Sequence, residues 1–218
     1  EADPSELLES PNIGFKLPEV LTVEEIDRII ATVDRSKAEG QRNRAILETL
    51  YSCGLRVSEL VNLKLSDLYF DEGFIKVEGK GNKQRLIPIS PRAINEIKLY
   101  FTDRNQIEVK SGHEDFVFIS LRRGKRLSRI MIFHMIKELA QQASITKNIS
   151  PHTFRHSFAT HLLEGGANLR AIQCMLGHES IATTEIYTHI DRNMLRSEII
   201  EHHPRNIKYR KEKEELFH

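Results

Sequence analysis

Apolar residues recur every three or four positions over most of the chain, which is the spacing of helices that bury one face. The first stripe follows Thr22 and Glu25, a pair spaced to form a capping box at a helix start. A second stripe, over residues 43–53, ends at Gly54, and glycine commonly ends a helix. Three further stripes each follow a serine that can cap a helix start, at Ser90, Ser128 and Ser150. The pattern therefore predicts helices over much of the chain.

The spacing changes between residues 68 and 89. Residues 74–77 and 85–89 are short runs rich in apolar and β-branched side chains, which is typical of strands. The sequence GKGNK between them predicts a hairpin turn with lysines at its tip. Its glycines would let the backbone and Lys80 approach a ligand closely, although a plain solvated turn fits the same letters.

Residues 150–190 carry most of the candidate chemistry on a run of predicted short helices. His152, Arg155 and His156 lie three and four positions apart, so they share one helical face. His178 follows a glycine that is predicted to end the next helix, and Tyr187 lies on a last helix. We interpret His156 as a structural hydrogen-bonding residue.

Composition limits the class of protein. The 218 residues, 39% of them hydrophobic, suit one large domain or two small ones with a real core. No apolar run is long enough to cross a bilayer, so we expect no membrane partner. Cys53 and Cys174 lack metal-ligand spacing and are predicted to be reduced core thiols of a cytoplasmic protein.

Two basic clusters stand out although the net charge is only +1. Residues 121–130 hold five basic residues and no acid, and residues 76–85 hold four with Glu78 as their one acid. Such patches, balanced by acids elsewhere, fit a phosphate-binding face, whereas either cluster alone is better explained as solvated surface. The candidate DNA contacts are Lys83, Arg85, Arg122, Arg123, Lys125 and Arg126.

The remaining candidates match what is needed to break a phosphodiester without a metal. Paired arginines can hold the negative charge of the transition state, and a tyrosine oxygen can attack the phosphorus. The leaving sugar oxygen needs a proton from a lysine or histidine. No cluster of Asp and Glu suggests a two-metal site, so we expect no metal and no cofactor. The candidates are Arg56, Lys80, His152, Arg155, His178 and Tyr187.

Five separated segments carry a resemblance to a known family: GLRVSEL, GKGNK, HTFRHSFATHLL, LGHESIATTEIYTHI and EHHPR. In this order they resemble the tyrosine recombinase (integrase) family, and within it the XerC/XerD type that resolves chromosome dimers. The resemblance implies a mainly α catalytic domain with a small antiparallel β-sheet, over residues 19–204. Residues 1–18 are then expected to be a linker from an N-terminal DNA-clamping domain that is absent from this sequence.

The resemblance also implies a role for each candidate residue. Tyr187 is the nucleophile that forms a 3′-phosphotyrosyl link, and Lys80 is the general acid for the leaving 5′ oxygen. Glu59 orients the site. The arginine pair and the two site histidines are Arg56, Arg155, His152 and His178.

The family implies partners as well. We expect double-stranded DNA, four protomers on two DNA sites as a homo-tetramer or with a paralogous recombinase, and a DNA translocase as activator. The function implied is site-specific DNA recombination in chromosome partition at cell division. Residues 205–218 are highly charged and are expected to be a tail, either disordered or helical when docked, that docks into a neighbouring protomer.

Several alternatives stay open at this point. The chain could be a mobile-element integrase, a relaxase of the type IB topoisomerase kind, or a DNA-binding accessory protein. Arg56 and Glu59 alone could form a surface ion pair worth ~0.5 kcal/mol. His152, His156 and His161 could in principle bind zinc, although His161 falls off the face that the other two share.

Overall fold

The computed structural model describes residues 19–177 and 192–216. These residues contain a three-stranded antiparallel sheet and nine α-helices. The predicted linker, residues 1–18, lies outside this part, as does the segment 178–191 with His178 and Tyr187. The helices are α1 (Val23–Thr32), α2 (Gly40–Cys53), α3 (Val57–Val61), α4 (Pro91–Arg104), α5 (Arg129–Gln142), α6 (Pro151–Glu164), α7 (Leu169–Leu176), α8 (Arg192–His202) and α9 (Pro204–Leu216). The expected fold class is confirmed.

The predicted start of α1 and end of α2 are confirmed. The Thr22 hydroxyl accepts from the Glu25 N–H at 3.1 Å, and the Glu25 carboxylate accepts from the Thr22 N–H at 3.0 Å. Gly54 follows α2 with a φ of 65°, a left-handed conformation that favours glycine. A Cβ at Gly54 would lie 2.3 Å from the Phe158 ring, so the glycine also lets α2 and α6 pack closely.

The sheet follows the predicted hairpin. The strands β1 (Leu68–Tyr69), β2 (Phe74–Glu78) and β3 (Gln84–Pro88) lie in the order β1-β2-β3, with Val77 opposite Arg85. The connecting turn contains a short 3₁₀ helix, Lys80–Asn82. The Gly79 N–H donates to the Lys83 carbonyl at 2.7 Å and closes the turn. The turn therefore holds Lys80 at the exposed end of the hairpin.

The described core consists of two hydrophobic clusters. The larger one joins α1, α2, α4 and α5 to the sheet, with Tyr51, Tyr100 and Phe118 among its fully buried side chains. The second is centred on Phe158 and joins α6 to α7 and α8. None of the described helices has the length and apolar character to cross a membrane.

The C-terminal segment is helical, and the first turn of α9 packs against the rest of the same chain. Arg205 is buried, and its guanidinium donates to the Glu48 carboxylate at 2.8 Å and to Asp27. The structure therefore shows this segment as a helix held at its first turn within the same chain. Docking into a neighbouring protomer stays a prediction.

Candidate active site

Glu59 lies at the centre of a cluster of three arginines. It is 3% exposed, in the first turn of α3, and its carboxylate accepts the Arg56 N–H at 2.9 Å. Arg85 binds it with two nitrogens, at 2.5 and 3.0 Å. The side chains of Arg56 and Arg155 lie 3.7 and 3.9 Å from its oxygens. One buried carboxylate thus fixes three guanidinium groups.

The arginines come from three distant elements. Arg56 precedes α3, Arg85 lies in β3, and Arg155 lies in the second turn of α6. Backbone carbonyls also hold two of them, because Arg155 donates to Gly54 at 2.7 Å and to Leu176 at 2.6 Å, while Arg85 donates to Met175 at 2.9 Å. The end of α7 is therefore attached to the cluster.

The cluster carries an excess of positive charge, since three arginines face one carboxylate. Burial lowers the pKa of Arg155 to about 10, with Arg56 the next cause and Glu59 opposing both. The excess charge reaches solvent at Arg56, whose side chain is 35% exposed against 8% for Arg85 and 10% for Arg155. Such a cluster is suited to bind an anion.

A groove of about 770 Å³ opens at the cluster. Arg56 and Glu59 line it from one side, and Gly79 and Lys80 of the hairpin turn line it from another. A lysine is thereby placed at the same opening as the exposed arginine. A phosphate in the groove could meet both groups.

Comparison with known proteins identifies the family. The phage integrase family matches residues 19–194. The tyrosine recombinase XerD of Staphylococcus saprophyticus subsp. saprophyticus is 47% identical over 204 residues, which is 93% of this chain and 68% of that protein. The chain belongs to the phage integrase family of tyrosine recombinases.

Two crystal structures resemble the chain in three dimensions. The XerA recombinase has a TM-score of 0.67 and 35% identity, over 86% of this chain and 66% of that one. The XerH site-specific recombinase, in a pre-cleavage complex with its difH substrate, has a TM-score of 0.66 and 28% identity, over 80% and 51%. This tyrosine recombinase therefore spans between about half and two thirds of the length of these relatives.

The structure brings four of the predicted catalytic-site positions together in this tyrosine recombinase. Arg56 and Arg155 each pair with Glu59, and Lys80 lines the same groove as Arg56 and Glu59. His152 is exposed one turn before Arg155 on α6. The roles assigned to these residues stay predictions, as do those of His178 and Tyr187, which lie outside the described residues.

Arg85 lies in a different place from the one we expected. We predicted an exposed DNA contact, but its side chain is 8% exposed and is held by Glu59. The physical reason is the alternation of β3, because Arg85 is paired with the buried Val77 and so faces the same side. The sequence contained this signal, since residues 85, 87 and 89 fall on one face of the strand and the last two are isoleucines.

The other predicted DNA contacts lie on the surface. The side chain of Arg126 contacts Asn62 and lies over the Phe116 ring at 5.4 Å, and both partners line the groove. The basic loop therefore adjoins the groove. The exposed basic residues of this loop are Arg122, Arg123, Lys125 and Arg126. Lys83, in the hairpin turn, is exposed as well.

The histidines differ in their surroundings. Partial burial lowers the pKa of His156, with His152 and Arg155 as further causes. The His161 ring is buried, with its Nδ1 2.7 Å from the Tyr51 hydroxyl. In the two described ranges, no three His, Cys, Asp or Glu side chains are grouped to hold a metal ion.

Proposed function

We propose that this tyrosine recombinase cuts and rejoins DNA strands at a specific site through a 3′-phosphotyrosyl intermediate. The observation that carries the proposal is the cluster around Glu59, which presents excess positive charge to a groove shared with Lys80. A scissile phosphate is the anion that matches two arginines and a nearby proton donor.

The chemistry follows from the groups at the groove. Arg56 and Arg155 hold the non-bridging oxygens, and both guanidinium groups stay charged through the reaction. The Tyr187 hydroxyl gives its proton to His152 or His178, and its oxygen forms a bond to phosphorus as the bond from phosphorus to the 5′ oxygen breaks. Lys80 donates its proton to that leaving oxygen, which becomes a 5′-hydroxyl.

Rejoining is the same reaction in reverse. A 5′-hydroxyl attacks the phosphorus of the phosphotyrosyl link, Lys80 takes up its proton, and the tyrosine oxygen leaves and regains its proton from the same histidine. One phosphodiester is exchanged for another, so no nucleotide cofactor is required. His152 and His178 are proposed to hydrogen-bond the phosphoryl oxygens during both steps.

The groove is proposed to receive the DNA backbone, and the adjoining basic residues to position it. Lys83 extends this face from the hairpin turn, and the basic loop extends it from beyond Asn62. Contacts to phosphates fix the register of a protein on DNA without reading its sequence. We expect binding to weaken steeply as salt rises.

The cellular role is proposed from the nature of the relatives. A chain this similar to a XerD recombinase is proposed to resolve chromosome dimers in the cytoplasm before cell division. We propose a tetramer on two DNA sites, either of identical chains or with a paralogous recombinase, activated by a DNA translocase. The proposal includes exchange of α9 between protomers. The contacts of Arg205 with Glu48 and Asp27, which form within one chain here, would then form between two chains.

Covalent trapping on a nicked suicide duplex tests the chemistry. We expect a protein–DNA adduct that EDTA does not prevent and that Tyr187→Phe abolishes, while the variant still binds DNA. An adduct in the Tyr187→Phe variant would contradict the assignment of the nucleophile. DNA binding without any adduct in the unaltered chain would support the accessory-protein hypothesis instead.

A second assay tests specificity. Relaxation of any supercoiled plasmid, without a site requirement, would favour the topoisomerase-like alternative. Cleavage that depends on a chromosome-dimer-type site would support dimer resolution. Cleavage confined to the ends of a mobile element would favour the integrase alternative.

A further inference from the structure

The guanidinium of Arg85 lies against two glycines. A Cβ at Gly79 would come within 3.2 Å of Nη1 of Arg85, and a Cβ at Gly177 would come within 3.0 Å of its Cζ. Gly79 directly precedes Lys80, and Gly177 directly precedes His178. The backbone next to each of two predicted site residues therefore approaches one buried guanidinium, and no side chain stands between them.

The same guanidinium makes hydrogen bonds in two directions. Its two terminal nitrogens donate to the two oxygens of Glu59, and its Nε donates to the Met175 carbonyl. The Arg85 backbone is meanwhile paired with Val77 in the hairpin. One planar group thus connects the hairpin, the carboxylate of α3 and the end of α7.

This arrangement needs an arginine. A guanidinium donates in a fixed plane from three nitrogens, whereas a lysine ammonium is a single point on a flexible stem. A lysine at position 85 could keep the charge next to Glu59, but it could not hold both carboxylate oxygens and the Met175 carbonyl at once. The hairpin would then lose its fixed position relative to the other arginines.

Gly79 supports this interpretation independently. Its φ of −95° and ψ of −160° are ordinary extended values, which any residue adopts. The backbone there does not require a glycine, so the close approach to the Arg85 guanidinium, 3.2 Å from a Cβ, is the constraint. Gly79→Ala therefore crowds the guanidinium without straining the backbone.

We propose that Arg85 is a positioning residue for strand cleavage, which sets the hairpin lysine, Lys80, against the phosphate held by Arg56 and Arg155. This inference rests on the proposed function, because it takes Lys80 as the general acid. Arg85 itself is buried behind Glu59 and acts through the groups that it holds.

The test compares two leaving groups on the full chain. One nicked duplex carries the ordinary 5′ oxygen at the scissile phosphate, and the other carries a 5′ sulfur. A thiolate leaves without a proton, since the pKa of a thiol is near ~8.5, so cleavage of the sulfur duplex does not require the general acid. A defect in the placement of Lys80 should therefore appear on the oxygen duplex alone.

For Arg85→Lys we expect cleavage of the oxygen duplex to fall by about 100-fold, the lower range for loss of a general acid. On the sulfur duplex the loss should be at least about tenfold smaller. Arg92→Lys is the matched control, because Arg92 is also a partly buried arginine beside a buried glutamate, Glu48. It should cleave both duplexes as the unaltered chain does.

Equal losses of Arg85→Lys on both duplexes would overturn the proposal, as would a loss of less than about threefold on the oxygen duplex. If thermal unfolding shows that Arg85→Lys is not folded, Gly79→Ala decides by the same ratio. Failure of the proposed function is distinguishable from failure of the Arg85 proposal, since the unaltered chain would then form no adduct with either duplex.

Discussion

Two of the buried glutamates in the described residues, Glu59 and Glu48, each bind arginines, and their surroundings differ. Glu59 lies among Arg56, Arg85 and Arg155, and the cluster opens to a groove. Glu48 is fully buried and contacts Arg92 at 3.4 Å and Arg205 at 2.8 Å. Both would be described as buried ion-pair networks, yet only the first is proposed to perform chemistry.

The balance of charge distinguishes them. Around Glu59 three arginines exceed one carboxylate by two charges, whereas Arg92, Arg205 and Lys208 exceed Glu48 and Asp27 by one. Around Glu48, buried polar atoms of the described part also lack hydrogen-bond partners. They are Glu48 Oε2, Arg92 Nη1 and Arg205 Nε. A larger excess of one charge next to an opening indicates a ligand site, while a network around a fully buried carboxylate joins elements of the fold.

The largest contrast is expected on neutralising each glutamate. Glu59→Gln removes the charge that holds three arginines, so cleavage should fall by roughly 100- to 1000-fold, as when an oxyanion donor is lost. Glu48→Gln leaves Arg92 and Arg205 buried without their shared carboxylate, and should cost about 3 kcal/mol of unfolding free energy. Urea unfolding and suicide-duplex cleavage measure the two effects.

Cleavage per folded molecule is the control for this contrast. It should be unchanged in Glu48→Gln, because Glu48 is fully buried and does not line the groove at Arg56. Equal losses of cleavage in the two variants would mean that the networks do not differ in function.

A smaller effect on stability is expected from pH, through a histidine next to Arg205. The buried His203 ring accepts the Arg205 N–H at Nδ1 and contacts the Tyr51 carbonyl through Nε2, which fits a neutral ring. Burial lowers the pKa of His203 to about 3. The unfolded chain takes up the proton near pH ~6.5 and the folded chain does not, so stability is lost as pH falls below that value.

Between pH 7.5 and 5.5 this histidine should cost about 1 kcal/mol of unfolding free energy. His161 also has a pKa lowered by burial, so the comparison must be with His203→Gln in the same buffers. The glutamine variant should lose less stability over this range. An identical pH dependence of the two chains would contradict the assignment.

The smallest effect is expected outside both networks. Arg122→Gln combined with Arg123→Gln should weaken DNA binding and reduce the slope of log affinity against log salt by about 2. The matched control joins Arg28→Gln to Lys37→Gln, two exposed basic residues on and after α1. A slope that falls equally in both double variants would indicate general charge rather than a basic face.

The elements that local sequence determines were predicted well. The capping box at Thr22, the glycine stop at Gly54 and the hairpin turn all depend on residues within a few positions, and all three are confirmed. β3 begins one residue earlier than expected and α2 three residues earlier, because the exact ends of strands and helices depend on tertiary packing as well as on local sequence.

The networks could not be predicted in the same way. Arg205 and Glu48 are 157 positions apart, and no local pattern indicates their contact. Arg85 lay within a basic cluster, so its charge was interpreted as surface, although strand alternation placed it on the buried side. The cluster around Glu59 likewise forms only where three distant elements meet. Its carboxylate contacts the side chains of Arg56, Arg85 and Arg155 and accepts the Arg56 N–H.

The central claim is that the excess charge at Glu59 serves to hold the scissile phosphate. Arg56 tests it best, because its ion pair with Glu59 is long, at 3.7 Å, and its side chain is the most exposed of the three. Arg56→Ala should therefore remove charge stabilisation with little change to the fold.

The measurement is cleavage by Arg56→Ala of a duplex whose scissile phosphate is replaced by an uncharged methylphosphonate. We predict that the variant, almost inactive on the phosphodiester, cleaves the neutral duplex at least about tenfold faster, because less negative charge needs to be stabilised. Equal inactivity of the folded variant on both duplexes would contradict it.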